Sequence, residues 1–141
     1  MASVVYNTFF ERQAKNSMGS LESDQIKVAL MSVGYVASKN NQAWASISGY
    51  EATGTNYTAN GLTLGGVSIT KSDANAWVYM DATNSNWANV TITATGCVVY
   101  DDTHASDALI CFLSFGTSKE ATAASLTLQW STGGIVRWYQ G

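Results

Sequence analysis

The spacing of apolar positions changes once along the chain. From Val5 to Ala14 it is helical: Val5, Tyr6, Phe9, Phe10, Gln13 and Ala14 fall on one side, and Asn7, Glu11, Arg12 and Lys15 fall elsewhere. This predicts one short helix in an N-terminal arm of residues 1–18, capped by Ser3 and closed by Gly19. An isolated helix of this length is marginal in water. Phe9 and Phe10 therefore need cover, from the domain's own sheet or from a partner subunit.

Beyond Gly19 the period becomes two. Ile26, Val28 and Leu30 alternate with Lys27 and Ala29, as in a half-buried strand. Leu62 and Leu64 share one phase and Val67 and Ile69 another, so Gly65-Gly66 is expected to form a bulge or bend that resets the alternation. Further strands are expected over Trp77–Asp81, over Val90–Ala94 running into Cys97–Tyr100, and over Leu109–Phe115, the last buried on both faces. Leu126–Trp130 then leads through the turn Ser131–Gly134 into Ile135–Tyr139. Seven to eight short strands with a short N-terminal helix predict an all-β fold, an antiparallel β-sandwich or jelly roll, occupying residues 1–141 as a single domain.

Residues 34–61 break the alternation. Tyr35, Trp44, Ile47, Tyr50 and Tyr57 stand among Asn, Ser, Gly and Thr, and read as a long aromatic loop with a short strand near Ile47. Such aromatics either pin the loop to its own domain or form a contact surface. Trp77 and Trp130, lying in alternating strands, read as core, which leaves Trp44, Trp87, Trp138 and Tyr139 as exposed contact candidates.

Charged residues make up 12% of the chain, about half the usual share in soluble proteins, and Thr, Ser, Asn and Gly replace them. A neutral polar surface repels its neighbours weakly, which suits packing against copies or partners. The seven Lys and Arg are scattered singly, so no phosphate-binding stripe forms and no nucleic-acid partner is expected. No apolar stretch approaches the roughly 18 residues of a membrane span, and no signal-peptide pattern opens the chain. Synthesis in a cytoplasm is the expectation, which discounts the sequons at Asn56 and Asn89.

The densest chemistry is Asp101, Asp102, His104, Ser106 and Asp107, which holds the residue types of a triad, a carboxylate pair or a calcium or magnesium site. All five fall in one turn between apolar strands, and His104 is the only histidine. A solvated hairpin tip is the simpler reading, so no catalytic residue, metal site or cofactor is expected and an enzyme is the least favoured class. Cys97 and Cys111 lie seven residues either side of His104, opposite one another if the hairpin closes symmetrically. An opposed pair could approach disulfide distance, but buried thiols filling small core positions are expected there.

A set of segments in constant order resembles a family of small structural proteins of tailed-bacteriophage virions. They are Tyr6-Asn7-Thr8-Phe9, Ser48-Gly49-Tyr50-Glu51, Gly54-Thr55-Asn56-Tyr57-Thr58, Gly61-Leu62-Thr63-Leu64, Trp87-Ala88-Asn89-Val90-Thr91-Ile92-Thr93-Ala94, Val98-Val99-Tyr100-Asp101, Leu109-Ile110, Phe115-Gly116, Leu126-Thr127-Leu128-Gln129-Trp130 and Gly134-Ile135. These motifs mark strands and turns, and the chain departs from the pattern in its Trp138-Tyr139 ending and its longer N-terminal helix. The resemblance implies a virion structural protein. The favoured placement is a capsid cement or decoration protein on the head surface, bound to the major capsid protein lattice as a homo-oligomer, a trimer by symmetry. The alternatives are a tail or neck component and a carbohydrate-binding host-recognition domain.

Phe9, Phe10, Tyr35, Trp44, Tyr50, Tyr57, Trp138 and Tyr139 are the expected partner-binding residues, with the helix and the 34–61 loop contributing more than the strands. Removal of residues 1–16 is accordingly expected to leave a folded strand core.

Overall fold

The computed structural model describes residues 2–139 and is an antiparallel β-sandwich. The larger sheet has the order β1-β7-β6-β2-β3, from β1 (Val4–Val5), β7 (Ala108–Leu128), β6 (Ser85–Asp101), β2 (Ile26–Met31) and β3 (Leu62–Thr63). The smaller has the order β4-β5-β8, from β4 (Ser68–Ser72), β5 (Trp77–Asp81) and β8 (Val136–Tyr139). One helix, α1 (Asn7–Ala14), follows β1.

Two apolar clusters lie on the two faces of the larger sheet. One holds Ile26, Val28, Leu30, Cys97, Val99 and Ile110 together with Met80, Ile135 and Val136 of the smaller-sheet side. The other holds Ala29, Met31, Val98, Tyr100, Leu109 and Phe112 with Tyr6, Tyr35, Trp44 and Ile47 laid over them. Strands β2, β6 and β7 are thus covered on both sides where they run together, which is why Cys97–Tyr100 and Ala108–Phe112 read as unbroken apolar runs. β2 was expected to be half-buried. Only Lys27 in it reaches solvent, in an ion pair with Asp102 at 3.6 Å.

The N-terminal expectation also changes. Val4 and Val5 pair with Phe112 and Cys111 as a strand, and helix α1 begins only at Asn7. Ser3 caps nothing: its Oγ accepts the backbone N–H of Ser114 at 2.9 Å. Asn16, at φ 53°, follows the helix end in the left-handed conformation that asparagine tolerates, three residues before the glycine expected to close it. Tyr6 and Phe9 are fully buried, so the N-terminal segment is core rather than arm.

The strands expected over Leu109–Phe115 and near Leu126 are one strand, β7, pairing with β6 from Asp101↔Ala108 to Ser85↔Leu128 through four register shifts. Gly116 and Ala123 take positive φ within it. The shift between Val99 and Tyr100 places Cys111 opposite Val99 and Cys97 opposite Leu113. The two thiols are therefore offset by two residues rather than opposed; both are free and buried. Burial pushes the Cys97 thiol well up and Cys111 up to about 12.

Gly65-Gly66 is a bend, and it carries the chain from the larger sheet to the smaller. The Ser131–Gly134 turn likewise changes sheet, since β8 pairs with β5 and not with β7. Asn56 and Asn89 take left-handed conformations, and Asn56 Nδ2 donates to Asn89 O at 2.8 Å, so a turn role accounts for both.

Because Phe9 packs in the core against Trp138, with ring centroids 5.9 Å apart, Phe9→Ala is predicted to lower stability by about 3–5 kcal/mol. Phe10, 47% exposed, should cost about 0.5 kcal/mol on the same change. Urea denaturation of the two variants measures the difference, and deletion of residues 1–16 should abolish the cooperative transition.

Candidate functional site: the outer face of the smaller sheet

The long segment between β2 and β3 is held by its own aromatics. Trp44 stacks on Tyr100 with centroids 4.8 Å apart and planes 2° from parallel, and its Nε1 donates to Asn60 Oδ1 at 3.0 Å. The hydroxyls of Tyr6 and Tyr35 share a buried hydrogen bond of 2.7 Å, and burial raises the pKa of both. Tyr57 receives the Leu30 N–H at 2.9 Å and donates to Glu51 Oε1 at 2.8 Å. Burial raises Tyr57, and it also raises Glu51 against the opposing pull of its hydrogen bonds from Tyr57 and Asn60. The strand expected near Ile47 is instead two 3₁₀ turns, Trp44–Ser46 and Ser48–Tyr50.

Several proposed contact residues are therefore structural. Phe9, Tyr35 and Trp44 are buried, and Tyr57 is partly buried and fully bonded. Trp87 is buried as well. Trp138 points inward, its Nε1 donating to Gln13 Oε1 at 3.1 Å. Phe9, Tyr35, Trp44 and Trp87 cannot meet a partner without leaving the core, and Tyr57 and Trp138 are partly buried against it. Phe10, Tyr50 and Tyr139 remain exposed, on separate elements. Val33 and Val36 are about three-quarters exposed.

The acidic turn is a tether. His104 Nδ1 accepts the Ser106 N–H at 3.1 Å, so Nε2 carries the proton and donates to Ser17 O at 3.0 Å. Thr103 Oγ1 accepts the Gln25 N–H at 2.7 Å, and Asp107 O accepts the Trp44 N–H at 3.0 Å. Asp101 is fully buried, its Oδ1 receiving the N–H groups of Thr103 and His104. Its Oδ2 faces no donor, and the adjacent Asp24 carboxyl can bond it only when one of the two holds a proton. Burial, reinforced by Asp24, pushes Asp101 up to about 7. Among the described residues no group of three or more His, Cys, Asp or Glu side chains is arranged for a metal ion.

A second aromatic cluster lies elsewhere, with Tyr139 exposed and Trp77, Tyr79 and Arg137 partly buried. In β5 and β8 the residues Val78, Met80, Val136 and Trp138 share one phase, in which Met80, Val136 and Trp138 join the core. Trp77, Tyr79, Arg137 and Tyr139 share the other phase, on the outer face, beside Thr70 and Ser72 of β4. The expectation that Trp77 is a core residue is thus corrected. Asp81, in the same phase of β5 as Trp77 and Tyr79, was the sequence signal that this face meets solvent.

Arg137 organises the face. Its Cζ lies 4.6 Å from the centre of the Trp77 ring and 5.8 Å from that of Tyr139, and the two rings meet edge to face at 5.6 Å. The turn before β8 closes the other side. A Cβ on Gly133 would come within 2.8 Å of the guanidinium, and Gly134 takes φ +86° against the Tyr79 ring. Both glycines are needed for this approach.

A separate groove of about 500 Å³ opens at the sandwich edge, lined by Leu113, Phe115, Leu126, Trp130 and Ile135. Its charged groups are Lys119 and Glu120.

The Asp101 geometry sets a pH dependence. The folded chain keeps the Asp101 proton up to about pH 7, whereas the unfolded chain loses it near its ordinary value of 3.8. Between those values the folded state binds more protons, so this group's contribution to stability falls as pH rises through the window. Asp101→Asn keeps the Oδ1 acceptor and supplies a donor toward Asp24. The variant should gain stability relative to the wild type between pH 5 and pH 8 in urea denaturation. A difference that does not vary with pH would contradict the assignment.

No family model, no curated protein and no solved structure matches the chain.

Proposed function

We propose that this chain is a non-enzymatic structural protein of a tailed-phage particle, a cement or decoration protein that binds the assembled head shell. The observation that carries the reading is the face formed by Trp77, Tyr79, Arg137 and Tyr139 on an otherwise charge-poor domain. Trp, Tyr and Arg are the residue types that dominate binding energy in protein interfaces, Trp and Tyr because they bury a large area with few rotors and retain polar tips, and Arg because its planar fork makes several hydrogen bonds. The sequence resemblance to phage virion proteins supports the same placement. Trimers on local threefold axes would repeat one contact around the shell, and avidity would strengthen it.

A tail or neck role would use the same face in a ring. A saccharide-binding role fits less well, since stacking on a sugar needs an open ring and Arg137 already lies over Trp77. No helix is long and apolar enough to cross a membrane among the described residues.

The chain should co-sediment with assembled shells at least tenfold better than with free shell subunits. The pair Trp77→Ala and Tyr139→Ala, checked for folding by circular dichroism, should lose most of that retention, while Phe10→Ala keeps it. Equal binding to subunits and shells, or full retention by the folded double variant, would count against the proposal.

A further inference from the structure

The guanidinium of Arg137 lies over the Trp77 ring and, among the described residues, makes no side-chain hydrogen bond or ion pair. A guanidinium is planar and carries its five N–H donors in the plane, so stacking over an aromatic ring leaves those donors pointing along the surface. Trp77, Tyr139 and Gly133 bound the guanidinium of Arg137 on the sides they occupy. Among the described residues none of its donors meets a carboxylate: the ion pairs are Lys15 with Glu11, Lys27 with Asp102, and Lys71 with Asp73. Asp81, the acidic group in the same strand phase, accepts the backbone N–H of its neighbour Ala82 at 2.9 Å instead.

A fork of donors beside two aromatic rings has the geometry of a carboxylate receptor, because a carboxylate accepts two parallel N–H bonds in one plane. The charge balance agrees. The molecule carries a net charge of −3, so a cation on its most aromatic surface is complementary to an acidic group that the rest of the chain would repel.

We infer that Arg137, held by Trp77 and Tyr139, is the anchor that grips an Asp or Glu side chain presented by the assembled shell. This rests on the shell-binding reading and names the chemistry of its central contact. Contact through the rings alone would depend on area and tolerate loss of the charge. A bidentate contact would not, and it would distinguish arginine from lysine, whose ammonium is a point charge without the fork.

The test uses shells purified from particles lacking this chain. One portion is left untreated, and in the other the surface carboxylates are converted to amides with carbodiimide and ethanolamine. Wild type, Arg137→Lys and Arg137→Gln are compared by co-sedimentation over a range of salt concentrations, with folding confirmed by circular dichroism. Wild type should bind untreated shells and lose at least tenfold in affinity on amidated ones. Arg137→Gln should bind both at that lower level with a shallower salt dependence, and Arg137→Lys should fall between. Undiminished binding of Arg137→Gln to untreated shells, or of wild type to amidated shells, overturns the anchor and leaves shell binding standing. Failure of wild type to bind untreated shells overturns both. Arg137-dependent binding to polygalacturonate without shell binding would do the same and assign the site to an acidic saccharide.

Discussion

Burial of the β2–β6–β7 ladder on both faces is the constraint on which the rest of the molecule depends. A three-strand ladder offers two apolar faces, and the smaller sheet covers only one of them. The second face must be closed by chain without regular structure, and residues 32–61 together with Tyr6 provide it. Backbone in such a cover has polar groups to satisfy away from a ladder. Some of these find backbone partners, as in Ser32 N–H to Tyr50 O, Ala52 N–H to Leu30 O and Asn7 N–H to Lys39 O, and Asn60 O accepts the Tyr100 hydroxyl, while the buried side-chain polar groups pair with one another: Tyr6 with Tyr35, Trp44 with Asn60 Oδ1, and Tyr57 with Glu51. The abundance of Tyr and Asn and the scarcity of charge in this segment follow from that duty.

The same logic explains how the turn at residues 102–107 is used. It lies where β6 and β7 meet, and it binds the helix exit at Ser17, the strand entry at Gln25 and the loop at Trp44. What reads in sequence as a cluster of reactive groups acts through backbone partners. Asp101 holds the turn by accepting two N–H groups, and its burial beside Asp24 makes the proton part of the structure below neutral pH.

Strand periodicity made the fold class legible, because the alternation at Val90–Ala94 and the apolar run at Cys97–Tyr100 each correspond to a burial pattern in the structure. Other features depend on tertiary context. Val4 and Val5 fit a helical spacing, yet an open position beside Phe112 and Cys111 draws them into a strand. Aromatics in a loop look alike whether they face inward or outward, so Trp44 and Tyr35 were indistinguishable from Tyr50 until the uncovered face of the ladder was known. In the smaller sheet, both phases of β5 and β8 carry large side chains, and only strand pairing distinguishes Trp138, which packs on Phe9, from Tyr139, which faces out. Asp81 was the one sequence cue to that orientation.

With Tyr35, Trp44 and Tyr57 of the loop committed to the domain itself, the face of Trp77, Tyr79, Arg137 and Tyr139 is the surface we propose for the contact with the shell. The measurement that tests this most directly is an electron cryomicroscopy reconstruction of the intact particle at a resolution that places side chains. The account predicts that this face packs against the shell with Arg137 in contact with an acidic residue. A reconstruction in which the smaller sheet turns this face to solvent, and another surface of the domain meets the shell, would contradict it.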